Sequence, residues 1–359
     1  MRNRFFTWIV FAVLITLPAL AQTPVNTKPG AKPWTHPKTA WGDPDIQGLW
    51  PSDKMNYVPL QRSTTLGTRS VLTDEEYQAL VDFAEKQEDI DTAEFASRDP
   101  LIARGTSGFL TCKEDPQRCR DGVRIGPPNY WDERGKPSRQ ASLIVEPANG
   151  RIPALTPEAQ KAAAERQSAR GKRPCSGSAA GCNDTFEDLS LMDRCITRGV
   201  TALWPGGYNK GNQIVQAPGM VVIRNEMIHE NRTVWLDGRP RPPKNVVSFM
   251  GFSRGRWEGN TLVVETTNVD PRQAIGGANP SDNFVMIERF TRTDEKTIRY
   301  EATVTDEKTW SAPWRVSFPL ELDPSYDVHE YACHEGNYSM FNRLTGARAV
   351  EREEAQKNK

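Results

Sequence analysis

The chain has 359 residues, with 46 basic and 46 acidic side chains, so its formal net charge is zero. Nucleic-acid-binding domains carry a basic excess, so this balance speaks against nucleic acid as the main partner. Proline (27) and glycine (26) are abundant and 37% of residues are hydrophobic, which predicts much irregular chain around a smaller regular core.

Residues 1–21 read as a cleavable signal peptide. Met1-Arg2-Asn3-Arg4 supply a basic head, and Phe5 to Leu17 an apolar run too short for a permanent bilayer span. Ala19-Leu20-Ala21 then gives the small-x-small pattern of a cleavage site. The mature chain should begin at Gln22 and reside in the periplasm or be secreted. No later stretch is apolar enough to cross a membrane, so no integral segment is expected after cleavage.

Residues 22–200 read as an irregular, Pro-rich region with two short helices. Asp45 to Trp50 looks like a short strand ending in Gly-x-Trp. Thr73 is a candidate N-cap for a helix reaching about Lys86, with Asp74, Glu75 and Glu76 in its first turn. Ser142 to Val145 is a short strand. Pro157 opens a second helix, running to about Arg170.

From 201 to 359 the texture changes to short apolar and β-branched runs separated by turns. Strands are expected near 213–217, 219–229, 232–236, 245–250, 254–258, 261–268, 284–293, 297–305, 313–321 and 327–333. Short turns such as Glu258-Gly259-Asn260 force neighbours to be antiparallel, and so long a meander predicts a closed or nearly closed β-barrel. The alternation places Glu288 with Phe284, Met286 and Phe290 on an apolar face. Since carboxylates are rarely buried unpaired, Glu288 and Glu265 are expected at the rim or on the outer face.

All six cysteines follow the signal peptide, and an even number in an exported protein favours disulfides. Spacing favours Cys112–Cys119 and Cys175–Cys182 as local staples, leaving Cys195 and Cys333 for a long-range bridge among 15 connectivities open to six cysteines. No C-x-x-C or H-E-x-x-H spacing is present, so no metal is expected, and no cofactor is indicated. No G-x-S-x-G occurs either.

Histidines lie beside carboxylates in two segments, Glu226-Met227-Ile228-His229-Glu230-Asn231-Arg232 and His329-Glu330-Tyr331-Ala332-Cys333-His334-Glu335-Gly336-Asn337. On a strand, His229 would share a face with Val221, Ile223 and Met227. His229 and His334 are therefore acid–base candidates facing each other across a barrel mouth. Glu226 and Glu335 would tune them, and Arg232 would meet an anionic or carbonyl oxygen. Trp257, Tyr300, Trp314 and Asn337 are candidate substrate-binding residues.

Three segments carry a resemblance: Ser142 to Pro147 (SLIVEP), Arg254 to Thr267 (RGRWEGNTLVVETT) and Tyr331 to Asn337 (YACHEGN). They are similar to segments of a large group of exported, mostly uncharacterised bacterial proteins. The likeness covers most of the mature chain and implies no particular activity. Gly48-Leu49-Trp50 with the late meander also resembles lipocalin-like barrels. The functional expectation is an exported β-barrel enzyme acting on a small, partly apolar molecule by His/Glu acid–base chemistry, of isomerase, lyase or hydrolase type. A non-catalytic binding protein for an apolar molecule and an envelope scaffold are the alternatives.

Overall fold

The computed structural model describes residues 34–96, 135, 137–171 and 183–357. Residues 1–21, expected to be a signal peptide, and Cys112, Cys119, Cys175 and Cys182 lie outside the described residues.

Ten strands form one curled, half-barrel sheet: β1 (Gly48–Leu49), β2 (Ile144–Glu146), β3 (Asn212–Ala217), β4 (Met220–Asn225), β5 (Asn231–Trp235), β6 (Phe252–Glu258), β7 (Thr261–Thr267), β8 (Val285–Arg292), β9 (Thr297–Thr305) and β10 (Trp314–Glu321). Their order is β1-β3-β4-β5-β6-β7-β8-β9-β10-β2. The N-terminal region thus supplies both edge strands. The backbone amide of Asp323 donates to Leu49 O at 3.0 Å, joining the chain after β10 to the opposite edge.

The expected all-antiparallel meander is corrected at one junction: β5 and β6 run parallel, pairing only at Val234–Ser253 and Trp235–Arg254. Parallel neighbours need a long crossover, and residues 236–251 provide it. Pro240, Pro242 and Pro243 lack amide donors and open that crossover, so the strand expected at 245–250 does not form; Val246 and Val247 are exposed there. The strand expected at 327–333 is likewise irregular chain, following the Asp323-Pro324-Ser325 turn.

Three α-helices occur among the described residues: α1 (Asp74–Ala96), α2 (Pro157–Gly171) and α3 (Tyr338–Lys357). The start of α1 is a capping box. Glu76 N donates to Thr73 Oγ1 at 3.2 Å and Thr73 N to Glu76 Oε2 at 2.8 Å. In α2, Thr156 Oγ1 accepts from Ala159 N at 3.1 Å. The sequence reading lacked α3, which is fastened by Arg343–Asp193 and Arg348–Asp184 ion pairs.

The concave face of the sheet is a packed core. Val221, Ile223, Val234, Leu262, Val264, Met286, Phe290, Ile298, Val316 and Phe318 line it. Ile46, Trp50, Met55 and Val58 cover it from the N-terminal side, with Val200, Leu203 and Trp204 from the segment before β3.

One polar chain crosses this core. Arg232 (β5) reaches past β6 and β7 to form a bidentate ion pair with Glu288 (β8), its Nη2 donating to Oε1 at 2.7 Å. Glu288 is therefore buried, not at the rim: the side chains are 3% and 0% exposed, and the partner missing from the sequence argument is Arg232. Arg232 Nη1 also donates to Thr266 Oγ1 (3.2 Å), which shares a hydrogen bond with Ser253 Oγ (2.8 Å). On the other side, Tyr300 Oη donates to Glu288 Oε1 at 2.9 Å and accepts from Trp204 Nε1 at 3.0 Å. Burial pushes the Tyr300 phenol well above its usual range, and the Glu288 charge adds to that. Glu265 does lie on the outer face, paired with Arg241 and Arg254.

Breaking a buried pair leaves an uncompensated charge, at a cost of about 3–5 kcal/mol, whereas replacing both partners by apolar residues is often neutral. Glu288→Ala should therefore lose about that much in urea unfolding, and the double variant Arg232→Met/Glu288→Leu should recover most of it. A double variant no more stable than Glu288→Ala would contradict this account.

Candidate functional site

The two histidine segments come together, though not as paired strands. The chain leaves β4 at Asn225 and turns back to β5 through a single 3-10 turn, Met227–His229. Ile228 and His229 have φ of 60° and 43°, in the left-handed region that a β-branched residue such as isoleucine rarely adopts. His229 thus leaves the strand alternation and is exposed, its Nδ1 lying 3.2 Å from the carbonyl oxygen of Tyr331.

Glu226 holds this turn in place. It is buried, accepting from Asn209 Nδ2 at 2.6 Å and from Tyr326 Oη at 2.7 Å. A Cβ at Gly211 would stand 2.5 Å from the Tyr326 ring, so only glycine lets these segments approach. Tyr208 Oη and Tyr331 Oη are 3.2 Å apart. A disulfide joins Cys195 to Cys333, with Cα atoms 5.7 Å apart across 138 residues.

The other expected site residues lie elsewhere. His334 and Glu335 are exposed, and no carboxylate hydrogen-bonds to either His229 or His334 among the described residues. Arg232 belongs to the core pair with Glu288. Tyr300 and Trp314 are fully buried, and Trp314 meets Trp204 and Trp310 edge to face. Trp257 is half-buried against the core. Asn337 Nδ2 donates to Asp193 O at 2.8 Å, beside the disulfide.

A large cleft opens on the other side of the 190–199 segment. It measures about 1420 Å³ and lies between α2, residues 187–201 and the 271–281 loop. Ala159, Ala162, Ala163 and Arg166 present one face of α2, facing Leu189, Met192, Arg194, Thr197 and Arg198. Gly199, at φ 75°, admits the buried Gln273 side chain where a Cβ would otherwise sit. Five basic and two acidic residues line the cleft, so its walls are cationic as well as partly apolar.

Thr197 and Arg198 link the cleft to the histidine turn. Behind them stands half-buried Glu230, whose carboxylate accepts from Thr197 Oγ1 and, at 2.7 Å, from Arg198 N. Burial raises the Glu230 carboxyl above its ordinary range, against the lowering by those two hydrogen bonds and the Arg198 charge. Burial lowers the Arg198 guanidinium, opposed by Tyr208, Tyr331 and Glu230. Lys210, nearly fully buried, donates from Nζ to Ala202 O at 3.1 Å and meets no carboxylate among the described residues.

Sequence reasoning missed Arg194, Arg198 and Lys210. The available signal was two arginines bracketing Cys195, a residue already expected to be fixed by a bridge. Among the described residues no group of three or more His, Cys, Asp or Glu side chains could hold a metal ion. No helix among them is long and apolar enough to cross a membrane. No family model, curated protein or solved structure matches the chain.

Lys210 yields a stability test. Burial holds its amine well below the ordinary lysine range, and the Arg198 charge lowers it further. A folded value below the unfolded one gives stability that is present above the unfolded value and lost as pH falls toward the folded one. Lys210→Met should therefore be more stable than the wild type at pH 7. The gap should narrow as pH rises toward about 10, by up to about 1.4 kcal/mol per unit. Urea titrations of both proteins at pH 7 and pH 9 measure it, and a wild type already more stable at pH 7 would contradict the assignment.

Proposed function

We propose that this is an exported protein that holds a small, partly apolar molecule in the cleft between α2, the 187–201 segment and the 271–281 loop. The carrying observation is the cleft itself. At about 1420 Å³ it exceeds the roughly 300–1,000 Å³ usual for small-molecule sites, and it joins apolar walls to a few convergent polar groups. The concave face of the sheet, by contrast, is filled with side chains and offers a ligand no room. Export is supported by the Ala19-Leu20-Ala21 pattern and by the Cys195–Cys333 bridge, which an oxidising compartment favours.

Acid–base catalysis on the bound molecule is the second reading, favoured by Glu230. Burial raises the carboxyl of Glu230, which stands behind the cleft wall against Thr197 and Arg198, and a carboxyl so perturbed beside a cleft is a candidate for proton transfer. His229 stands on the same turn.

Nile red, a neutral apolar dye, tests the first reading. The wild type should bind it with a rise in fluorescence. Ala162→Trp, which fills the cleft from α2, should weaken that binding at least about tenfold while leaving the melting temperature within a few degrees. Equal binding by both proteins would remove the cleft as the ligand site. For the second reading, metabolite profiling against a host extract would seek a converted compound. Glu230→Gln and His229→Ala should then each slow its conversion roughly a hundredfold or more without altering dye binding. Unchanged rates in both variants would leave binding alone.

A further inference from the structure

We propose that the cleft selects amphiphilic carboxylates, with Arg198 receiving the carboxylate group; this rests on the cleft being the ligand site. Arg198 lies on the cleft wall and is half-buried, yet among the described residues no carboxylate meets its guanidinium. Its Nη1 touches Met192 Sδ at 2.9 Å and its Nη2 stands 3.4 Å from Gly206 O, both poor substitutes for the water it has lost.

The acid nearest in the hydrogen-bond network, Glu230, is turned to Thr197 Oγ1 and to the backbone amide of Arg198. It therefore anchors the main chain and leaves the guanidinium free. Other arginines packed around this region are matched: Arg272 with Asp270, Arg343 with Asp193, Arg348 with Asp184. Arg194, stacked on Phe186 at 5.1 Å, meets no carboxylate among the described residues and lines the same wall.

A half-buried guanidinium without a counter-charge is costly unless a ligand supplies one, and its planar fork fits a carboxylate with two parallel hydrogen bonds. The ligand's charge is limited. Of the five basic residues on the lining, Arg272 and Lys308 are already paired with Asp270 and Asp282, while Glu158 and Glu187 line the cleft and Glu230 stands behind it, so the charge left for a ligand is small and a carboxylate monoanion matches it better than a doubly charged phosphate. The body of the ligand is apolar because leucine, alanine, methionine and proline make up much of the remaining wall.

The test is displacement of Nile red from the full mature chain by dodecanoate, dodecan-1-ol and dodecyl phosphate, each below its aggregation threshold. Dodecanoate should displace the dye at roughly ten- to a hundredfold lower concentration than the alcohol, the range expected for hydrogen bonds to a charged group. Arg198→Met keeps the length of the side chain and removes its charge. It should bring that ratio close to one, and Arg198→Lys should restore part of it; the ratio compares acid and alcohol against the same dye, so any change in the dye's own affinity cancels. Equal displacement by acid and alcohol in the wild type, or a ratio unchanged in Arg198→Met, overturns the carboxylate assignment while the cleft reading stands. Preference for dodecyl phosphate over dodecanoate overturns it as well. Failure of the wild type to bind Nile red, or insensitivity of that binding to Ala162→Trp, overturns the cleft reading and this inference with it.

Discussion

Curling a sheet on itself removes water from the centre of its concave face, and in this protein an ion pair occupies that centre. Arg232 and Glu288 do more than neutralise one another. Away from the edge strands β1 and β2, the β5–β6 junction is the weakest in the sheet, with two paired positions where its neighbours have five or more. The arginine starts on one side of that junction and its carboxylate partner lies on the other, two strands further on. Thr266 and Ser253 secure the strands in between, and Tyr300 and Trp204 carry the same chain of hydrogen bonds to β9 and to the segment covering the core. The pair thus joins the two halves of the sheet where backbone pairing between interior strands is shortest.

That covering segment connects the core to the surface. Trp204 is held from beneath by Tyr300, while a few residues earlier Arg198 and Thr197 form the cleft wall. Glu230, immediately before β5, fixes Thr197 and the Arg198 amide, and Arg232 lies two residues further along, on the strand itself. One stretch of three residues therefore sets both the sheet's internal charge pair and the position of the arginine on the cleft wall. The disulfide between Cys195 and Cys333 restrains the same segment from outside.

The parts of this arrangement legible in the sequence are those set by local rules. Alternation and tight turns mark β7 to β10 within a residue or two, and Thr73 and Thr156 mark the starts of α1 and α2. What failed depends on distant partners. His229 looked like a strand residue because nothing nearby reveals that Glu226 is clamped by Asn209 and Tyr326, which turns the chain before His229. Glu288 looked like a rim residue because its partner lies 56 positions earlier, across a parallel pairing that the pattern of apolar residues does not encode. Helix α3 has no clear apolar stripe; its signal was the run of strong helix formers from Ala347 to Lys357. Cleft-forming residues such as Arg198 carry no motif, since a cleft arises from segments far apart in the chain.

The placement of the edge strands bears on how this chain reaches its fold. Both β1 and β2 pair with strands that follow them by well over a hundred residues; Asn212 bonds the Trp50 carbonyl across 162 positions, and Arg315 meets Glu146 across 169. Contacts of such high order close large loops before any of the closure entropy is returned, which slows folding. The N-terminal segments that cap the core, Trp50 among them, emerge first during synthesis and stay without their apolar counterparts until β3 and β10 have been made. Until then the late hairpins can pair among themselves but cannot shelter the concave face. The chain thus passes through a stage in which much of its future core is open to solvent, and aggregation competes with completion of the sheet until both edges are in place.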